Sequence, residues 1–593
     1  MKTSAKSAVA VGAVGMMLLA ACGSDDGENG AANVGGLEDC KEHPNECNSG
    51  DRKDGGEAVV AIPQAWEGWY ERRAGSGSVY NMYATSGIIP QVQDGGYQPD
   101  QTYEYNQDVF AEEPERLNED DEPLKVRYEF KETAVWDTGE QIGSLDDFLF
   151  YWYSSTTDTD LCADQEKCDP RGTSYGDKVE SIEEVDGGIE ITYIEGYADA
   201  EWHIGAPFSV PGHAATEAGF DWKNDPEEMS DAVVWMDETI PTWSGGPYKI
   251  EPDSVEMGDA GTVTMVPNEN WYGEVEPTLD KLHIEVIGEE GAALTALENG
   301  EVDAILPRFD SAFVEKVGDI PNAVSTIYEA SVWEHLNFNT SNEFLADKEL
   351  RRAIFNAINT QDIIDATFGP YVDDMEPRTN HIFSEKSEYH EDYLTETGSG
   401  TGDLDAAEEI LKDAGYTGFG DQLMTPDGDP VEGLRLTHGA NAELRAITQS
   451  TVQSTLEEMG IGAEVIADAP DAFGSNLAEG KFDITYFGWS GTPSFVGSAE
   501  FYWHSDSGGN YAGIDNPEID EAAENSATTF DIDEAAALEN EAYKLAVDEY
   551  AVLPVLTQPG IVVFNEDLVN VRPNGSNSLN SLYNIAEWGW AAE

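Results

Sequence analysis

Residues that could do chemistry recur along this chain, but none of them combine into a complete catalytic motif. Gly488-Trp489-Ser490-Gly491 begins like the sharp turn that presents a nucleophilic serine, yet Thr492 stands where G-x-S-x-G requires its last glycine. Gly474 to Lys481 has the wrong interval for a phosphate-cradling loop and continues with Phe482 instead of Ser or Thr. No H-E-x-x-H occurs. Asp158, Asp160, Asp164 and Asp169 could face a calcium ion, but no glycine stands where an EF-hand loop turns. Two carboxylates at a fixed separation would serve a secreted acid hydrolase. With 118 Asp and Glu residues, however, the sequence nominates no pair. These patterns nominate no catalytic residue, no metal and no cofactor, and no enzyme is expected from them.

The cysteines carry clearer chemistry. Lys2 and Lys6 precede an apolar run from Ala8 to Ala21, too short to span a bilayer comfortably but suited to a signal-peptide core. The run ends in Leu19-Ala20-Ala21-Cys22-Gly23, which resembles a bacterial lipobox, with small residues seating the bond before Cys22 in a narrow peptidase site. Acyl chains on Cys22 would each add about 0.8 kcal/mol of membrane affinity per buried methylene. Gly23 to Gly36 has almost nothing apolar to bury and reads as a tether. The other four cysteines form two close pairs, Cys40 with Cys47 and Cys162 with Cys168, which predicts two local disulfides in an exported protein. Zinc is the rival reading, but the separation of the two pairs does not suit a compact four-ligand site.

The charge is extreme. Against 118 acids stand 30 Lys and Arg, a formal net charge of −88. Such a surface repels nucleic acid and anionic headgroups, so no nucleic-acid partner is expected. It also repels itself, and roughly molar salt, with a Debye length of about 3 Å, would screen that repulsion. A saline habitat is the simplest reading. With 14 Trp, 25 Tyr and 21 Phe, the chain has ample material for several cores.

Positioning these residues falls to alternating strands and helices. Val126, Tyr128 and Phe130 alternate with polar neighbours as a half-buried strand does, and Val179 to Val185 with Ile189 to Ile194 flank a hairpin turn at Asp186-Gly187-Gly188. Leu282, Ile284 and Val286 mark a strand, and Ala292 to Leu297 a helix stopped near Gly300. Asp403 caps a helix through Leu404, Ala407 and Leu411 that Gly415 ends, and Leu444 to Met459 traces another helix. A strand at 461–466, a short helix at 473–477 and a strand at 482–487 follow, which suggests a sheet covered by helices. Neither an internal repeat nor a long linker interrupts the chain after Gly55.

Trp136-Asp137-Thr138-Gly139-Glu140, Gly245-Gly246-Pro247-Tyr248, Gly300-Glu301-Val302-Asp303-Ala304, Leu336-Asn337-Phe338-Asn339 before Leu350-Arg351-Arg352-Ala353-Ile354, and Gly480-Lys481-Phe482-Asp483 through Trp489 follow one another in a telling order. Together they resemble the large oligopeptide/dipeptide solute-binding lipoproteins of ABC importers, the bacterial extracellular solute-binding proteins of family 5, with an actinobacterial-like tether. The resemblance implies an α/β, two-lobed periplasmic-binding-protein-like fold of the large peptide-binding type, with an additional subdomain in the first lobe. The expected divisions are a signal peptide at 1–21, a flexible tether at 22–54, lobe I at 55–85, its extra subdomain at 86–206, lobe I again at 207–330, lobe II at 331–550 and a return to lobe I at 551–593.

It further implies a monomer that captures a peptide or peptide-like solute and hands it to a permease with its ATPase, outside the cytoplasmic membrane. Trp489 is the first candidate for the ligand wall. Family peptide binders carry an Asp shortly after this Trp to pair with the ligand's ammonium, whereas Ser490-Gly491-Thr492-Pro493 offers no acid. Gln64, Trp66, Trp243, Asn337 and Asn339 complete the expected binding set, since amides and indoles offer fixed donors and apolar faces. An oligosaccharide or metal chelate on the same scaffold, and a sensory or adhesive lipoprotein, are the alternatives.

Overall fold

The computed structural model describes residues 37, 40, 43–45, 47–94, 104–119, 122–173, 175–204, 206–309, 311–440, 442–490 and 494–592. The expected signal peptide, Cys22 and the first part of the tether lie outside the described residues.

A mixed ten-stranded sheet runs through the molecule. Four of its strands matter most: β1 (Glu57–Ile62), β2 (Ala323–Phe338), β3 (Ile484–Ser490) and β4 (Val552–Asn565). β2 and β4, 16 and 14 residues long, pair antiparallel and are long enough for each to belong to both lobes. On the lobe I side, β4 pairs with Ala304–Ile305, which lies beside β1, and Lys281–Val286, Thr262–Pro267 and Tyr248–Ile250 continue outward. On the lobe II side, β2 pairs with β3, followed by Leu434–Gly439 and Ala463–Asp468.

Strand direction fixes where a cleft forms. Ala304 and Ile305 pair antiparallel with Phe564 and Val563, so this strand and the parallel β1 run toward Pro559. β3 pairs Ile484 with Phe338 and Ser490 with Val332, so it runs toward the middle of β2 from the other side. The carboxyl ends of both sets of parallel strands therefore converge where β2 and β4 pass between lobes, the place where open α/β sheets bind ligands. The β2–β4 ladder breaks there, with register shifts between Glu329 and Trp333 and again between Glu334 and His335. Pro554 and Pro559 remove two ladder donors from β4, and an interrupted ladder bends more easily than a continuous one.

Local signals explain most of the helices. Asp403 accepts from the Ala406 amide at 2.9 Å and caps Leu404–Asp413. Gly300, at φ 70°, ends Glu290–Asn299 in the left-handed region that favours glycine. The strand expected at 461–466 begins at Ala463, because the Ile461 amide folds back onto the Leu456 carbonyl at 2.8 Å and closes the preceding helix. β3 likewise starts at Ile484, two residues after the expected onset.

Each lobe has its own core, with Trp136, Trp222 and Trp588 in lobe I and Trp503, Tyr543 and Ile354 in lobe II. The inserted subdomain is a four-stranded antiparallel sheet, Phe110–Arg116, Lys125–Phe130, Gly188–Tyr193 and Val179–Val185 in spatial order, and it shares the lobe I core. Both expected disulfides close, Cys40–Cys47 with Cα atoms 5.0 Å apart and Cys162–Cys168 at 6.5 Å.

Two expected boundaries shift. The tether does not extend to residue 54, since the Arg572 guanidinium donates to the Cys47 carbonyl at 2.6 Å and the Lys53 amide to the Trp590 carbonyl at 2.9 Å, docking this stretch on the C-terminal segment. The return to lobe I comes later than 551, because Val552 still pairs with Asn337 inside lobe II. The change of lobe near 331 coincides with the broken ladder.

Candidate ligand-binding cleft

The lobe II wall is aromatic. Trp333 and Trp489 are cross-strand partners, and strand alternation puts His335 and Phe487, then Asn337 and Thr485, on the same sheet face. Trp489 is half-buried. Tyr511 stacks on it at 5.5 Å with ring planes 5° apart, Tyr502 leans on it at 5.9 Å, and the half-exposed Phe501 meets its edge at 5.1 Å. Beneath it, the His335 ring lies parallel at 6.4 Å. Burial holds the His335 imidazole well below its ordinary pKa and pushes His381 down to about 3, so both rings are neutral and the wall carries no charge from below.

Arginines stand on both sides of the crossing. Gln64 follows β1 and Arg308 follows Ala304–Ile305, so both leave the carboxyl ends of parallel strands. Arg308 donates to the Gln64 amide oxygen at 2.6 Å and to the Tyr80 hydroxyl at 3.3 Å, with its guanidinium 5.8 Å from the Tyr80 ring centre. On the lobe II side of the crossing, the buried Arg378 donates to the Asn380 carbonyl at 2.6 Å and to the Thr557 hydroxyl on β4 at 3.0 Å, and lies over the Trp333 ring at 5.5 Å. Arg72, on the loop after β1, sits over Tyr151 at 4.7 Å. The Cys162–Cys168 loop braces that arginine, because the Arg171 amide bonds the Arg72 carbonyl at 2.7 Å and the Ala74 amide bonds the Asp169 carbonyl at 2.8 Å. Among the described residues, none of Arg72, Arg308 and Arg378 forms an ion pair with a carboxylate, whereas Arg73 pairs with Asp237, Arg435 with Asp483 and Arg445 with Glu334.

The family model for bacterial extracellular solute-binding proteins, family 5, matches residues 110–512, more than half of the chain. This chain belongs to that family. Among solved structures, this family 5 protein is similar to the periplasmic EDTA-binding protein EppA, with a TM-score of 0.81 and 29% identity, covering 92% of this chain and 98% of the other. It shares the fold of the oligopeptide-binding protein AppA from Bacillus subtilis in complex with a nonapeptide, at a TM-score of 0.68 and 17% identity over 91% and 100% of the two chains. It also shares the fold of NikA from Brucella suis in complex with Fe(III)-EDTA, at a TM-score of 0.69 and 17% identity over 90% and 100%. By sequence, AppA of Bacillus subtilis (strain 168) is 21% identical over 362 residues, 59% of this chain and 62% of that protein's length.

Within this family 5 architecture, the expected site residues separate. Trp489 and Gln64 lie at the converging strand ends. Trp66 and Trp243 do not face the cleft. They are 2% and 5% exposed in the lobe I core, edge-on to Trp69 and Trp136 respectively, because each is drawn into an apolar cluster beside its turn. Asn339 is a structural amide that donates to the Gly480 and Phe482 carbonyls at 3.1 and 3.0 Å. Asn337, 2% exposed, lies four residues along β2 from Trp333, roughly 13 Å deeper into lobe II at 3.3 Å per strand residue. The four aspartates near Cys162 serve local turns, as where Asp164 caps Gln165–Cys168, and no group of three metal-ligating side chains occurs among the described residues. Sequence reasoning missed Arg308, Arg378, Tyr80 and Tyr511. The available signal for Arg308 was a scarce base placed directly after a short apolar strand.

Proposed function

We propose that this family 5 protein is a lipid-anchored, extracytoplasmic receptor of an ABC importer that captures a carboxylate-bearing, peptide-like solute between its lobes and delivers it to the permease. The observation that carries this reading is the pair Arg308 and Arg378, each laid on an aromatic ring and neither paired with a carboxylate, in a chain with 118 acids and 30 bases. A planar guanidinium matches a carboxylate bidentately; the exposed Arg308 is the one a ligand anion would meet first, since Arg378 is 7% exposed and already donates to the Asn380 carbonyl and the Thr557 hydroxyl. Trp489 supplies an apolar wall, and the interrupted ladder between Glu329 and Trp333 offers main-chain groups to an extended solute. Closure about that break would enclose the ligand. No acid follows Trp489, so a ligand amine is a secondary handle. Calorimetry with one extended peptide as free acid, C-terminal amide and N-acetyl derivative tests this. We expect amidation to weaken binding at least tenfold and acetylation to change it little. The opposite order would overturn the reading and point to Glu329, the exposed acid at the crossing.

A metal–polycarboxylate chelate carried as substrate is the second reading. Arg72 as a third unpaired guanidinium and the similarity to the EDTA-binding protein EppA support it. Binding of Fe(III)-EDTA in preference to any peptide would select it.

A further inference from the structure

A carboxylate from the inserted subdomain reaches across the lobes. Glu201 is followed by Trp202, which packs against the lobe I core, and by His203, whose carbonyl accepts from the Tyr105 hydroxyl at 2.7 Å. Its own side chain belongs to the other lobe's business: it is 7% exposed, and its carboxylate receives the Ser494 hydroxyl at 2.6 Å, the Phe495 amide at 3.1 Å and the Val496 amide at 2.9 Å. Those residues form the stretch of lobe II that follows Trp489. From within lobe II, Glu539 holds the next turn of the same loop, accepting from the Gly497 amide at 2.8 Å and the Ala499 amide at 2.9 Å. Among the described residues, the donors to the Glu201 carboxylate all come from that loop, so its contacts depend on this arrangement of the lobes. Glu201 also forms part of the wall of a cavity of about 760 Å³ between the inserted sheet and lobe II.

We propose that Glu201 is an inter-lobe latch and a positioning residue for ligand capture: it clamps the loop behind Trp489 when the lobes close and releases it when they open. The latch operates independently of the class of solute. Opening returns the carboxylate to water, and closing buries it.

This geometry makes closure take up a proton. Burial, opposed by the loop's hydrogen bonds, lifts the Glu201 carboxyl to about 7, above the ordinary glutamate value it regains in the open form. Glu201 Oε2 receives all three donors and Oε1 only a second contact from the Phe495 amide, so Oε1 is the oxygen that can carry the proton. Asp199, which accepts from the Glu201 amide, and Glu539, whose own carboxyl burial lifts to about 7, face it from either side and add negative charge while ionised. Across the cavity stand Glu104, Glu112, Glu113 and Glu388, with Lys131 and a His203 whose pKa burial lowers. A group whose pKa rises on closing favours the closed form as pH falls. Between pH 8 and 6 the closed-to-open ratio should rise up to about tenfold.

Small-angle scattering of the full, ligand-free chain in molar salt at pH 8 and 6, beside hydrogen exchange at the Phe495 and Val496 amides, tests the latch. We expect the wild type to become more compact at pH 6, Glu201→Gln to be compact at both pH values, and Glu201→Ala to be open and unprotected at both. Glu201→Gln keeps every other acid, so it subtracts their titration. The same pH response in wild type and Glu201→Gln, or protected amides in Glu201→Ala, would overturn the proposal.

Discussion

Trp333 is the residue at which the broken β2–β4 ladder resumes, opposite Thr557, and it is at the same time the cross-strand partner of Trp489 on β3. One is 2% exposed and carries Arg378 over its ring; the other is half-buried and carries the shelf of Phe501 and Tyr511. The break in the ladder and the candidate wall therefore meet at Trp333.

Removing the wall should cost affinity more than stability. Trp489→Ala should weaken peptide binding by about ten- to a hundredfold, the equivalent of about 1–3 kcal/mol for an aromatic contact of this size. Melting should shift little, because the ring is half-buried and lies outside the main lobe II core. Calorimetry with an unchanged dissociation constant would move the site elsewhere.

Acid should weaken the fold beneath the wall. His335 and His381 are neutral in the folded chain, with pKa values depressed by burial, to about 3 for His381, while the unfolded chain protonates them near 6.5. The unfolded state thus binds more protons below pH 6.5, and stability falls progressively as pH drops from there. In molar salt, melting temperatures of His381→Gln should fall less steeply than wild type between pH 6.5 and 4. Parallel slopes would contradict this assignment.

Salt should act in the opposite direction to ordinary surface ion pairing. With a net charge of −88, screening relieves more repulsion than it removes attraction, so the melting temperature should rise from low salt to molar sodium chloride. A melting curve indifferent to salt would count against it.

The proposed lipid anchor rests on one thiol. Cys22→Ala should abolish metabolic labelling by a fatty-acid analogue and block lipoprotein processing. Labelling that persists in this variant would remove the lipobox assignment.

The sequence shows most of the scaffold because its signals are local. Asp403 caps its helix, Gly300 ends another, and the paired cysteines close short loops. The cleft is less legible, since it depends on partners hundreds of residues apart: Gln64 meets Arg308, and Glu201 meets Phe495. Trp66 and Trp243 show the converse. An indole beside a turn suits a ligand and a core equally in sequence, and only three-dimensional burial separates the two. Arg378 carried no local signal, because its role comes from Trp333 and Thr557 on strands that meet by long-range pairing.

Native mass spectrometry of the solute that copurifies with the closed protein decides whether the cleft holds a carboxylate, with the double variant Arg308→Gln, Arg378→Gln as its control. A carboxylate-bearing, peptide-like mass should be released from the wild type and be absent from the variant. A neutral oligosaccharide, or the same solute retained by the variant, would contradict this reading.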